Sequence, residues 1–422
     1  MENVSSNRVV AQDDPGTSYL GALSVVTTLF FMWGFLTCLN DILVPHLKSV
    51  FQLGYAEGAL VQFSFFSAYF LMSLPSGKLV ARVGYKRGLL IGLATAGVGA
   101  LLFYPAASLP SYPFFLAALF VLATGITVLQ VTANPYVTVL GPPATASSRL
   151  NLTQAFNALG TTVAPYFGGH LILGAVQHAD PLAEARAVRL PYMGLALTLF
   201  VLAGALALIK LPTISSVEGK DAKHGTFRDA LAVPHLRRAA LGLFLYVGAE
   251  VAIGSFLVNF FELPSIAAMS SADAAGYVSF YWGGAMVGRF IGSAVLRKFD
   301  PGRVLGVCAI AAALLVGATL LLTGSIAMWA ILAVGLFNSI MFPTIFTLGI
   351  DGLGKLTSQG SSILIMAVVG GAVMPVLFGW LADRIGVHHA FILPALCYLY
   401  IVHFGWRGSR HTLNATAAAP AP

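Results

Sequence analysis

From about residue 20 onward the chain runs as long apolar stretches separated by short polar breaks. It shows neither the strict alternation of a half-buried strand nor the narrow apolar stripe of a soluble amphipathic helix. About twenty consecutive apolar residues are needed to cross the hydrocarbon of a bilayer as one helix. Runs of that order lie near 20–45, 57–81, 88–108, 113–140, 149–173, 190–211, 238–261, 272–296, 303–323, 326–349, 358–381 and 387–405. The pattern predicts an all-α membrane protein with twelve transmembrane helices. The first run is expected to be helix 1 rather than a cleaved leader, because GALSVVTTLFFMWGFLTCL has no basic flank just before it and no small-residue cleavage site after it.

Composition agrees with the pattern: 9% of residues are charged, against about 25% in soluble domains. The net charge of +7 changes the picture only through where it sits. With a cytoplasmic N-terminus, Arg82, Lys86, Arg87, Arg149, the basic residues between 210 and 238, Arg297, Lys298, Arg303, Lys355, Arg407 and Arg410 all fall on the cytoplasmic side. This is a topology signal and a contact with anionic lipid headgroups; it implies no nucleic acid. Cys38, Cys308 and Cys397 lie apart in apolar segments, which argues against a disulfide framework or a metal cluster.

The polar stretch 212–237 divides the runs six and six. The expected organisation is a cytoplasmic disordered tail 1–18, a first half 19–211, a cytoplasmic linker 212–237, a second half 238–405 and a cytoplasmic tail 406–422. The halves repeat. GKLVARVGYKRGLL at 77–90 aligns with GSAVLRKFDPGRVL at 292–305, pairing Gly77 with Gly292 and Arg82 with Arg297. NPYVTVLG at 134–141 aligns with FPTIFTLG at 342–349, and the spacing of Gly160 and Pro165 returns in Gly370 and Pro375. Two pseudo-symmetric six-helix halves with a basic loop after the second and eighth helices resemble the major facilitator superfamily, whose members bind substrate near the midplane. The loop at 77–90 resembles that superfamily's G-x-L-x-D-R-x-G-R-K signature, with Ala81 in place of its Asp. We expect Gly77, Arg82, Gly292 and Arg297 to belong to the gate.

A polar side chain has no partner in lipid, so those within the helices are expected to face the interior or a watery cavity. Trp33, Thr37, Asn40 and Asp41 share one face of the first helix, and Gln130 and Asn134 one face of the fourth. Asn151, Gln154 and Asn157 recur at steps of three in the fifth. In the second half, Glu250, Ser255 and Asn259 share one run, and Asn338, Ser339 and Thr344 another. Amides offer both donor and acceptor to neighbouring hydroxyls, and an indole face suits the C–H face of a pyranose. A sugar fits this inventory better than an anion, which would call for a central cation; Arg289 is the exception and lies toward the cytoplasmic end. Buried Asp or Glu must be protonated, paired or bound to an ion, so Asp41 and Glu250 are the candidate cation-coupling residues, for H+ or for Na+.

The segments FMWGFLTCLNDILVPHLKSVF, GITVLQVTANPYVTVLGP, SSRLNLTQAFNALGTTVAP, YVGAEVAIGSFLVNFF and FNSIMFPTIFTLGIDGLG resemble the fucose permease group, and within it the bacterial glucose/galactose transporter branch. The resemblance implies cation-coupled uptake of a monosaccharide across the bacterial inner membrane, by a multi-pass chain with both termini cytoplasmic. It implies that Asp41 matches a helix 1 aspartate tied to proton coupling. Trp33, Asn40, Gln154 and Asn157 match cavity positions, and Asn134 with Pro135 matches the same pair. Gln130 stands where fucose permeases carry a protonatable glutamate, and Glu250 where they carry a glutamine. The expected substrate contacts are Trp33, Asn40, Gln130, Asn134, Gln154, Asn157, Asn259 and Asn338. No catalytic set, cofactor or metal site is implied beyond the co-transported cation, and a monomer is expected. Open alternatives are a fucose or amino-sugar carrier and an uncoupled facilitator.

Overall fold

The computed structural model describes residues 19–51, 55–109, 111–168, 189–212 and 225–409, without the side chains of 38–50, 55–59, 62, 165–168 and 271–272. Among the described residues twelve long helical segments follow one another. The first six are α1 (Tyr19–Phe51), α2 (Tyr55–Val83), α3 (Tyr85–Ser108), α4 (Tyr112–Val139), α5 (Ala146–Gly168) and α6 (Arg189–Leu208). The second six are α7 (Pro234–Glu262), α8 (Ser271–Val295), α9 (Pro301–Leu321), α10 (Gly324–Ile350), α11 (Gly354–Ile385) and α12 (Val387–Gly408).

Nine of these helices are long and apolar enough to cross a membrane by length and composition. Of the other three, α5 and α8 carry polar side chains that meet the opposite half, Ser148 and Asn151 in α5 and Arg289 in α8, while α2 offers it the Gly77 carbonyl. Within the fold α2 packs on α11 and α5 on α8. Elsewhere large apolar side chains point outward, among them Leu190, Leu208, Leu321 and Val376. A soluble monomer would not expose so much apolar surface; a lipid-facing belt does.

Two prolines open acceptors inside the bundle. Proline has no N–H, so the carbonyl four residues before it loses its helical partner. Pro135 frees the Val131 carbonyl in α4, and Pro343 frees the Ser339 carbonyl in α10. In α10 the helix breaks outright at Ser339 and Ile340, between Gly324–Asn338 and Met341–Ile350. Both freed carbonyls are taken by donors from other helices.

The polar linker expected at 212–237 is shorter than the composition implied. A helix at Phe227–Ala232, closed by a capping box of Thr226 and Asp229, occupies part of it, and α7 starts at Pro234. His235, Arg237 and Arg238 extend α7 beyond its apolar stretch, which is why hydropathy alone placed the start later.

Candidate functional site

The seam between the halves is closed by hydroxyl groups toward the end that bears the two repeated basic loops, here the basic end. Ser148 in α5 donates to the Ser293 carbonyl in α8 at 2.6 Å. Its repeat counterpart, Ser358 in α11, donates to the Gly77 carbonyl in α2 at 2.9 Å. Ser361 of α11 donates at 2.9 Å to the Val131 carbonyl that Pro135 leaves free, and the hydroxyls of Ser147 and Thr347 meet at 2.6 Å. Further along the seam the Thr162 hydroxyl lies 3.5 Å from Met286 Sδ. Gly77 and Gly292 allow this closeness. A Cβ at Gly77 would overlap the Ser362 side chain, and one at Gly292 would overlap Ile340 and crowd Asn151. Arg82 and Arg297 are exposed, and their side chains make no hydrogen bond or ion pair among the described residues. Arg149 instead caps the C-terminus of α4, donating to the carbonyls of Val137, Thr138 and Pro142 at 3.2, 2.7 and 2.8 Å.

Further into the membrane the halves carry matching polar pairs. Gln130 Nε2 donates to the Tyr69 hydroxyl at 2.5 Å, and Asn338 Nδ2 to the Tyr281 hydroxyl at 2.7 Å. Gln130 and Asn338 occupy equivalent places before the repeated prolines, and each meets a tyrosine from another helix of its own half. Trp33 is buried against Phe30, ring centroids 4.4 Å apart. Asn157 spends its Nδ2 on the Phe30 carbonyl at 2.9 Å, which ties α5 to α1. Asn134 is fully buried, and neither its Oδ1 nor its Nδ2 has a partner. Gln154 Nε2, Asn151 Oδ1, Asn338 Oδ1 and the Thr344 hydroxyl are likewise buried and unpartnered. An unsatisfied buried polar atom costs about 1–3 kcal/mol, so a group of them marks a place kept for a polar occupant.

The second half adds a carboxylate. The Tyr246 hydroxyl lies 2.7 Å from Glu250 Oε1, one turn away on α7, and 3.0 Å from the Asn338 carbonyl at the α10 break. Tyr281 reaches the Glu250 backbone carbonyl at 3.4 Å, and the Tyr398 hydroxyl approaches Asn338 without completing a hydrogen bond. Arg289 of α8 stands within electrostatic range of Glu250 but forms no ion pair with it. Its Nε donates to the Ser339 carbonyl freed by Pro343, and its Nη1 to the Gln154 carbonyl of α5, each at 3.3 Å. Asn151 returns a bond to the Arg289 carbonyl at 2.6 Å.

Arg289 links the Gln154 backbone of the first half to the α10 break beside Asn338 in the second. Asn259 stands apart, exposed on α7 three residues before its end. Asn40 and Asp41 lie on α1, but their side chains are outside the described residues. Sequence reasoning missed Tyr69, Tyr246 and Tyr281, because a tyrosine in an apolar run reads as a hydrophobe. The spacing of Tyr246 and Glu250 was the available signal. A cavity of ≈ 300 Å³ opens at the basic end between the α4–α5 connection and the start of α9 and end of α10. None of the expected site residues lines it.

Twelve helices in two repeated halves, with polar clusters between them and no catalytic arrangement among the described residues, define a membrane transporter of the two-half type. The profile of the Major Facilitator Superfamily matches residues 23–368, and the chain belongs to that superfamily. It is 56% identical over 408 residues to the "Glucose/galactose transporter" of Brucella abortus, covering 96% of this chain and 98% of that one. It is 35% identical over 430 residues to the "L-fucose-proton symporter" of Escherichia coli, covering 97% and 98%. The crystal structure of the transporter FucP in the outward conformation superimposes with a TM-score of 0.85 at 35% identity, over 92% of this chain and 99% of that chain.

Proposed function

We propose that this protein is a cation-coupled symporter that takes up a monosaccharide, glucose or galactose, across the bacterial inner membrane. The observation that carries this reading is the set of buried amide atoms left without partners on α4, α5 and α10. Neutral donors and acceptors of this kind match sugar hydroxyls, and the names of the relatives above point the same way. Gln130, Asn134, Gln154 and Asn338 hydrogen-bond the sugar near the midplane, with Asn40 and the remaining oxygen of Asn157 beside them. Trp33 supplies the apolar platform, and Asn259, exposed near the end of α7, contacts the sugar on entry.

Glu250 and Asp41 handle the cation, Asp41 on the strength of the family resemblance. Glu250 is the better supported, since Tyr246 holds its carboxylate in place and Arg289 lies near without neutralising it by contact. The coupling ion is H+ or Na+. By the distribution of basic residues the basic end is cytoplasmic, as are both termini, so a seam closed there is the outward-facing state. Gly77 and Gly292 form the gate by permitting close approach, while Arg82 and Arg297 meet the headgroup region. The chain acts as a monomer within lipid.

Uptake of labelled glucose into proteoliposomes, under an imposed Na+ gradient or an imposed proton gradient, tests the reading. Galactose, mannose, fucose and N-acetylglucosamine serve as competitors. Accumulation under one gradient, suppressed by galactose, is expected. Equilibration under both would leave an uncoupled facilitator, and suppression by fucose or N-acetylglucosamine alone would move the substrate class.

A further inference from the structure

Arg289 has no part in the hydroxyl seam, yet it touches both halves and stands within electrostatic range of Glu250. Its two acceptors have different origins. The Ser339 carbonyl is free because Pro343 cannot donate to it, and the Gln154 carbonyl belongs to α5 in the opposite half. At 3.3 Å both bonds are long, since N–H···O=C hydrogen bonds usually lie at about 2.9–3.0 Å. Its Nη2 makes no hydrogen bond among the described residues, so the planar fork keeps donors in reserve. Asn151 grips the Arg289 backbone at the same place. Among the described residues, the titratable and charged groups around Glu250 are Tyr246 from its own helix, Tyr281 and Arg289 from α8 and Tyr398 from α12. Arg289 is the cation among them.

An ionised Glu250 attracts that cation strongly, because opposite charges in a low-dielectric interior are little screened. Once a proton or a metal cation neutralises the carboxylate, the attraction goes and the two backbone carbonyls become the best acceptors available. We propose that Arg289 is a positioning residue that relays the loading of Glu250 to the other half: loaded, it bridges α8 to α5 and the α10 break and holds the basic end closed; unloaded, it turns toward Glu250 and releases α5. The inference rests on the proposed coupling role of Glu250. It supplies what symport needs, since a carrier loaded with cation alone is kept from reorienting and an empty one is free to return.

The test reads the conformational equilibrium without sugar. Spin labels are placed at Ala144→Cys and Lys298→Cys, two exposed positions on opposite halves at the basic end, in a chain whose Cys38, Cys308 and Cys397 are replaced by alanine. Electron–electron resonance in lipid nanodiscs then gives short- and long-distance populations. Arg289→Gln is expected to lower the short-to-long ratio about tenfold, the equivalent of about 1.4 kcal/mol. Glu250→Gln, a mimic of the loaded carboxyl, is expected to raise the ratio when Arg289 is present and to leave it unchanged in the Arg289→Gln chain. Arg289→Lys keeps the charge without the fork; it is expected to fall between, and it carries the test if Arg289→Gln does not fold.

A ratio unaltered by Arg289→Gln, or the same Glu250→Gln effect with and without Arg289, would overturn the relay. Because sugar is absent from the measurement, a failure of monosaccharide uptake in the parent chain would sink the transport reading and leave this result to be read on its own.

Discussion

Ser148 and Ser358 occupy equivalent places in the two halves, and each donates its hydroxyl to a backbone carbonyl across the seam. Replacing both by alanine removes two hydrogen bonds that exist only while the basic end is closed. Ser148 and Ser358 are both buried, so the Ser293 and Gly77 carbonyls would lose these donors where water does not reach them. When the halves part, water can bond the same carbonyls, and the penalty falls on the closed state alone. A net contribution of about 1 kcal/mol per bond, at two sites far enough apart to add, shifts the closed-to-open ratio by about 2 kcal/mol, or about thirtyfold. Apparent sugar affinity from the outer side would weaken as the binding-competent fraction falls, while thermal stability changes little. Alkylation of a cysteine at Ser147, buried on the seam against Thr347, reports the opening directly. A double variant whose alkylation rate stays within about twofold of the parent, far short of that thirtyfold shift, would refute the view that these hydroxyls hold the seam.

Other outcomes rest on the same geometry. Gly77→Val drives a side chain into Ser362 and should open the basic end more than the serine changes do; an unchanged alkylation rate would mean that α2 and α11 are not in register as described. Asn134→Leu is expected to abolish sugar binding in equilibrium dialysis while raising thermal stability, because two unsatisfied amide atoms are replaced by an apolar side chain; retained binding would remove Asn134 from the site. In the linker, hydrogen bonds from the Thr226 N–H and hydroxyl hold the Asp229 carboxyl below its ordinary range. A depressed carboxyl stabilises the folded cap fully above its unfolded pKa and loses that contribution as pH falls through the lower folded value. The Thr226 amide resonance should therefore stay constant above about pH 4, the unperturbed Asp value, and move only below it; a midpoint at or above that value would contradict the cap.

Much of the fold was legible because lipid leaves few options. Helix positions follow from apolar length, and the repeat follows from glycines and prolines whose spacing survives in both halves. Boundaries were less legible, since helices such as α7 run on past the hydrocarbon into residues that hydropathy counts as loop. Of the residues proposed to bind the sugar, Gln130, Asn134, Gln154 and Asn338 stand out in the sequence because amides are rare in an apolar run. The uses of Asn157 and Asn259 could not, since helical spacing gives a face but not the neighbour opposite it. Asn157 turned out to tie α5 to α1, and Asn259 lies exposed. Arg289 read as a residue near the cytoplasmic end. Its role appears only once Pro343 is seen to free the carbonyl it binds, a link between α8 and α10 that no local pattern contains.

The most direct test of the account compares the parent chain with Glu250→Gln in the same proteoliposomes, measuring gradient-driven accumulation of labelled glucose beside sugar exchange at equilibrium. Exchange needs binding and reorientation but no cation gradient. The account expects Glu250→Gln to exchange sugar and to accumulate none above equilibration, while the parent does both. Full accumulation by Glu250→Gln would contradict the assignment of coupling to the second half of the chain.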